Sequence, residues 1–321
     1  RRQRQMCIRD SCKSALEALI SQKESRFYEA LLPLGVYVAA YLNATEGTNY
    51  NVSKLFDWVF NGCQSSSGRT GWGIIVGKWG DYDVSGLQGS ITDGGGYAFL
   101  MNSIKPAWPF IPLVKYQPEY AKAIGKWMLN NSSACRLFYP GDIDEKHQWA
   151  PELKNITNNH VSYEGLKKAD DYGKESLKGV SPVAIGDGPK WIEGNPAESM
   201  FSVYSSSPVG ILGAIITKTD VEGILQLDCN ATDFYVDKPY PVYLYYNPYK
   251  EAKTITYRAS QECDLFDIVA KKYVARNVNE SGLIEIPAND ARVIVELPQG
   301  TVLELQDGKI ITNKENIIAY K

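Results

Sequence analysis

GILGAIITKTDVEGILQLD (Gly210–Asp228) is the stretch on which the fold turns. From Val209 to Lys218 the apolar residues crowd together as in a short buried helix. From Val221 the pattern changes, and Val221, Gly223, Leu225 and Leu227 alternate with polar or charged neighbours. Apolar spacing of three and four marks a helix and spacing of two marks a half-buried strand. Two textures therefore meet near Thr219.

Upstream, the texture is read as helical from Ser14 to Thr219. Phe27, Leu31, Leu34, Val38 and Leu42 predict one face of a buried helix. Ser53 is read as the cap of a short helix carrying Leu55, Phe56 and Val59, closed by Gly62. Pro118 suits a first helical turn, with Tyr120, Ile124, Trp127 and Met128 behind it. Long glycine-, serine- and proline-rich connections, 68–96 and 141–207, separate these pieces and have the character of binding loops. Downstream, the pairs Ile255/Tyr257, Ile284/Ile286 and Leu303/Leu305 and the trio Val293, Val295, Leu297 predict short strands. Asn247-Pro248, Ser281-Gly282, Pro298 to Gly300 and Asp307-Gly308 read as turns. Such spacing argues for an antiparallel sandwich.

The first ten residues, RRQRQMCIRD, are set aside. Back-translated as CGT CGG CAG CGT CAG ATG TGT ATA AGA GAC, they resemble a transposon-end sequencing adapter read in frame. That implies a metagenomic fragment whose upstream part is missing. The expected division is then 1–10 artefact, 11–219 helical, 220–321 β. The ten residues hold four Arg and one Asp, net +3, so a chain of net −3 carries −6 elsewhere. An acidic chain without basic clusters excludes nucleic acid as the expected partner. No apolar run approaches the roughly 20 residues of a membrane span. Cysteines 12, 63, 135, 229 and 263 are widely spaced without a CxxC pair, so neither a disulfide framework nor a zinc site is expected.

Chemistry concentrates in KWGDYDVSGLQGSITDGGGYAFLMN (Lys78–Asn102). Its glycines let the backbone approach a ligand. Asp81, Asp83 and Asp93 are candidate catalytic acids, and Asp93 equally suits a helix cap. Of Asp81 and Asp83, two apart in the chain, the expectation is that one faces a cleft. Trp72, Trp79, Tyr82, Tyr97 and Trp108 surround the stretch, as sugar-stacking faces or as core. In NNHVSYEGL (158–166), His160 is a candidate acid, base or charge stabiliser, and Glu164 a second carboxylate or merely a helix-start residue. Tyr97, Tyr82 and Tyr163 are candidate bases, and Asn102 and Arg136 candidate substrate ligands. His147, amid the charges of DEKHQW, is expected at the surface. GxGxxG, GxxxxGK[ST], GxSxG, HExxH and EF-hand spacing are all missing from the sequence, so no cofactor or metal is expected.

The order of these parts, with YPVYLYYNPY (240–249) and NVNESGLIEIPANDARVIVELP (277–298), is similar to polysaccharide-active enzymes built on an α/α toroid with a C-terminal β-sandwich. The layout resembles the six-hairpin glycosidase superfamily. AIGKWMLNNSSACRLFYP (123–140), with the Lys78–Asn102 and Gly210–Asp228 stretches, resembles an uncharacterised bacterial secreted or periplasmic group. The resemblance implies an α+β multidomain chain, a partial α/α toroid followed by an antiparallel sandwich, acting on a poly- or oligosaccharide. It transfers no catalytic residue by position. Three functions follow in order: a glycoside hydrolase with a carboxylate pair, a lyase on uronate-containing glycans by Tyr/His chemistry, and a non-catalytic glycan-binding or surface protein.

Overall fold

The computed structural model describes residues 2–25, 27, 29, 31–61, 72–90, 96–154, 161, 163–171, 173–187, 199–200, 206–234, 239–313 and 316–320. The chain mixes helices with mainly antiparallel sheets, Val183–Asp187 and Ser199–Met200 being a parallel pair, and is β-rich towards its C-terminus. It separates into two compact units. Unit 1 comprises Arg1–Pro106 and Ala134–Ser205, and unit 2 comprises Ala107–Ser133 and Ser206–Lys321. The segment 107–133 thus groups with the C-terminal strands, where the sequence reading places it with the N-terminal helices. Among the described residues no helix is long and apolar enough to cross a membrane.

Unit 1 opens with helices α1 (Arg2–Ile20), α2 (Leu31–Glu46) and α3 (Val52–Phe60). Residues 2–10, set aside above, are the first half of α1, and both Arg9 and Lys13 pair with Glu46. In α2, Leu31 is 73% exposed while Leu32, Val36, Tyr37, Ala39 and Ala40 are buried, so the expected face is turned. LLPLGVYVAAYL is apolar all round, and periodicity cannot choose a face for such a helix. In α3 the cap is Asn51, whose side chain accepts the Lys54 N–H at 2.9 Å. Ser53 instead donates to Asn51.

The larger departure is a sheet built mostly from the segments read above as long connections within a helical domain. Unit 1 carries β1 (Trp72–Ile74), β2 (Lys78–Trp79), β3 (Tyr82–Asp83), β4 (Gln88–Ser90), β5 (Tyr97–Phe99), β6 (Gly165–Lys167), β7 (Val183–Asp187) and β8 (Ser199–Met200), with the short helix α4 (Leu100–Ile104) after β5. Six strands join in the order β1-β4-β5-β6-β7-β8, and β2 and β3 form a separate hairpin. These strands are short, and Gln88–Ser90 is buried throughout, so no alternation betrays it. Glycine is required at position 89, where an added Cβ would lie 1.8 Å from the Tyr97 carbonyl oxygen on the paired strand.

Unit 2 contains helices α5 (Ala107–Leu113), α6 (Ala121–Ala134, up to Ser133) and α7 (Ser206–Ile215), then the strands β9 (Ile216–Lys218), β10 (Leu225–Asp228), β11 (Val242–Asn247), β12 (Lys253–Arg258), β13 (Cys263–Asp267), β14 (Lys272–Val278), β15 (Ser281–Ile286), β16 (Asp290–Pro298), β17 (Leu303–Gln306), β18 (Lys309–Thr312) and β19 (Ile317–Tyr320). A six-stranded antiparallel sheet runs β14-β13-β16-β11-β10-β9. The β12–β15 pair turns Ile255, Tyr257, Ile284 and Ile286 onto Tyr245, Leu265 and Ile294 of that sheet, forming one core. Here burial alternates residue by residue in β12 and β15, the period-two signal expected. Asp307 and Gly308, both at positive φ, make the β17–β18 turn as read. Ser281-Gly282 falls inside β15. Gly125 lets α6 approach the sheet, since a Cβ there would lie 2.6 Å from the Cβ of Tyr246.

Candidate functional site

Strands β5 and β6 bring together two parts of the chain that the sequence keeps far apart. Their register is Tyr97↔Lys167, Ala98↔Leu166 and Phe99↔Gly165, and the Leu100 N–H continues the ladder to the Glu164 carbonyl at 2.8 Å. Gly165 has no side chain where the Tyr97 ring lies, and a Cβ there would sit 2.2 Å from a ring carbon. The ring crosses this gap, and the Tyr97 hydroxyl donates to Glu164 Oε1 at 2.7 Å. Glu164 Oε2 is buried and has no hydrogen-bond partner among the described residues. The Lys167 ammonium stands 5.2 Å from the Tyr97 ring centre, which gives the pair a neighbouring positive charge. Along the same strand face Phe99 stacks 6.1 Å from Tyr97, and Trp72 of β1 tilts against Phe99 at 6.2 Å.

The remaining candidates fall in several places. Asp81 is exposed at the tip of the β2–β3 hairpin, in the turn and not on extended backbone. Asp83 is exposed and accepts the Ser85 N–H at 2.9 Å. Hydrogen bonds from Ser85 hold its carboxyl below the usual carboxylate range, the wrong direction for a group that must deliver a proton. Trp79 is buried, and an added Cβ at Gly96 would meet its ring at 2.8 Å, so it is core and not an open platform. The Tyr82 hydroxyl accepts the Asp144 N–H at 3.0 Å, and its ring meets His147 edge-on at 4.9 Å. Burial pushes the Tyr82 hydroxyl pKa upwards.

His147 is buried, with Nδ1 at 2.7 Å from the Pro182 carbonyl, so the expected surface position is overturned. The short helical turn Glu145–His147 leaves its acid and lysine in water and aims the imidazole inwards. Tyr163 is also buried and donates to Gln148 Oε1 at 3.1 Å. Burial raises its pKa far above the ordinary tyrosine range, which disfavours the phenolate a base would need. Asn102 is fully buried in α4, and neither amide atom has a hydrogen-bond partner among the described residues. Arg136 is exposed. Trp108 belongs to unit 2, edge-on to Phe234 at 6.0 Å. Asp93 and His160 lie outside the described residues.

One feature of unit 1 escaped the sequence reading. A cleft of about 510 Å³ is bordered by Glu145, Gln148, Trp149, Glu152, Lys174 and Leu177. Lys174 donates to the Trp149 carbonyl and its ammonium lies 4.3 Å from the indole centre. Both glutamates sit in charged runs that read as solvated surface, and only the tryptophan between them hinted otherwise. Among the described residues no group of three or more His, Cys, Asp or Glu is placed to hold a metal ion.

No protein-family model matches the chain, and no curated protein sequence matches it. Among solved structures it is similar to α-galactosidase I from Mortierella vinacea, at 14% identity over 25% of this chain and a TM-score of 0.20. The chain spans 22% of that enzyme's length, and a likeness of this grade carries no argument about fold or activity.

Proposed function

We propose that this chain is a carbohydrate-active enzyme, a glycoside hydrolase in which Glu164 is the working carboxylate and Tyr97 positions it. The supporting observation is the 2.7 Å hydrogen bond between them, made across two paired strands, with the second carboxylate oxygen left unbonded among the described residues. A carboxylate held at one oxygen has the other fixed in direction, as a general acid, base or nucleophile requires, and because Glu164 Oε2 is buried a local opening is needed for substrate to reach it. The partly exposed rings of Trp72 and Tyr97, with the buried Phe99 packed between them, supply faces of the kind sugar rings stack on. Asp81 is the preferred second acid, because Asp83 is committed to its turn. The finer architecture, a partial α/α toroid with a C-terminal sandwich, and action outside the cytoplasm on a poly- or oligosaccharide, belong to the same proposal and rest on the sequence resemblance.

A second reading is a lyase, favoured by one contact. Lys167 beside the Tyr97 ring would neutralise a uronate carboxylate while Tyr97 moved the proton. One experiment separates the readings. The chain is incubated with neutral and uronate-containing oligosaccharides, and reducing ends and ultraviolet absorbance are followed together. Hydrolysis releases ends without absorbance, whereas elimination leaves an absorbing double bond. Glu164→Gln is expected to lower the rate by about a hundredfold or more. Full activity in that variant, or binding without any product from the wild type, would sink the hydrolase reading.

A further inference from the structure

Unit 2 holds a cleft of about 540 Å³ between two hairpins, a size suited to a small ligand. One wall is Phe266 and Tyr273, partners across β13 and β14 whose rings meet edge-on at 5.1 Å. The facing wall is Leu303 and Leu305, two apart on β17, with Ile310 directly opposite Leu305 on β18. Leu305 is 66% exposed, an apolar face left in water on a strand whose neighbours could have been polar. The aromatic wall is held in place. The Tyr273 hydroxyl donates to the Thr301 carbonyl at 3.0 Å, and the Arg276 guanidinium covers its ring at 3.5 Å.

Charge selects the ligand. Lys271 and Lys272 line the same cleft, and among the described residues neither makes an ion pair. Among the described residues Glu304 is the one carboxylate on the lining, and no ion pair joins it to either lysine. A sugar fits such walls poorly, because aliphatic side chains leave its hydroxyls unbonded. We infer that this cleft binds a small amphipathic anion, an apolar chain or ring body lying between the hairpins with a single carboxylate or sulfonate at Lys271 and Lys272. The site is independent of the Tyr97–Glu164 pair.

The test titrates the full chain with dodecanoate below its micellar range, with anilinonaphthalene sulfonate as a fluorescent competitor. Saturable one-to-one binding with mutual displacement is expected. Lys271→Glu with Lys272→Glu weakens both ligands about tenfold or more, the scale of a charge-assisted contact. Leu305→Asp does the same, and dodecanol, lacking the charge, binds the wild type more weakly than dodecanoate does. All three positions are exposed, so folding is retained, which near-ultraviolet circular dichroism checks. Binding of dodecanoate alone identifies a chain-bearing acid, and binding of the sulfonate alone a ring-bearing one. Absence of saturable binding overturns the inference. So does equal binding by the charge-reversed chain, or a dimer that Leu305→Asp dissociates, which would make the cleft a contact between copies.

Discussion

Tyr97 and Glu164 lie 67 residues apart in the chain and are joined by a 2.7 Å hydrogen bond across neighbouring strands. Tyr97→Phe keeps the ring and its stacking on Phe99 but removes the donor. The expected result is a folded protein destabilised by about 1 kcal/mol, the net worth of one hydrogen bond. Urea unfolding measures that loss. On an active substrate the rate should fall about tenfold or more, because the carboxylate is no longer aimed. Unchanged rate with unchanged stability would show that the bond positions nothing.

Gly165→Ala tests the same geometry without touching either partner. The new methyl would meet the Tyr97 ring at 2.2 to 2.5 Å, so the ring must leave its place over β6. The variant is expected to reproduce the rate loss of Tyr97→Phe, and combining the two should add little, since both remove one interaction. Additive losses would mean that Gly165 serves strand packing alone.

The sequence made unit 2 legible and left much of unit 1 obscure, for a physical reason. Strands β12 and β15 each have one face in the core and one in water, so Ile255, Tyr257, Ile284 and Ile286 print an alternating pattern. Gln88, Gly89 and Ser90 are buried on both faces and two of the three are polar, so nothing in their order announces a strand. Partners such as β5 and β6 are brought together across a long intervening segment, which local periodicity cannot register. For the candidate site, Tyr97 and Glu164 were each visible as residue types, but their pairing was not. It depends on the bare Cα of Gly165, a fact of three dimensions. The cleft at Glu145 and Glu152 was hidden because charged runs usually signify solvated surface, as most of that run does.

Within unit 2, Asp233 is fully buried, bonded to Lys115 Nζ and to the Tyr116 hydroxyl, each at 2.7 Å. Lys115 is only partly buried and also reaches Asn230 at 2.9 Å. The two partners should therefore not be equivalent. Lys115→Met removes the buried carboxylate's counter-charge and is expected to cost about 3–5 kcal/mol. Asp233→Asn leaves a lysine that keeps Asn230 and can turn towards water, and should cost about 1–2 kcal/mol. Urea midpoints at neutral pH decide the order, and a reversed order would refute the burial argument.

The buried thiols predict an alkaline limit to stability. Cys135, Cys229 and Cys263 are buried thiols in no disulfide, while Cys12 is exposed. Burial pushes the Cys263 thiol up to about 11, with Glu296 and Asp264 adding to the rise, and burial pushes Cys135 and Cys229 higher still. A raised thiol pKa means that the folded state keeps a proton which the unfolded chain releases. The stabilisation is complete below the unfolded thiol value of about 8.5 and is lost as the pH climbs from there through the folded value. For Cys263 that window ends near about 11. Each such thiol contributes a slope of at most about 1.4 kcal/mol per pH unit inside its window. From neutral pH the unfolding free energy should hold steady to about pH 8.5 and fall above it, with the buried tyrosines, whose hydroxyls are also raised, steepening the fall beyond about pH 10. Cys263→Ala should flatten the first part of that decline. Near neutral pH a thiol reagent should modify Cys12 at once and the three buried cysteines only on unfolding. Rapid labelling of Cys263 in the folded chain would show that its raised pKa does not come from burial.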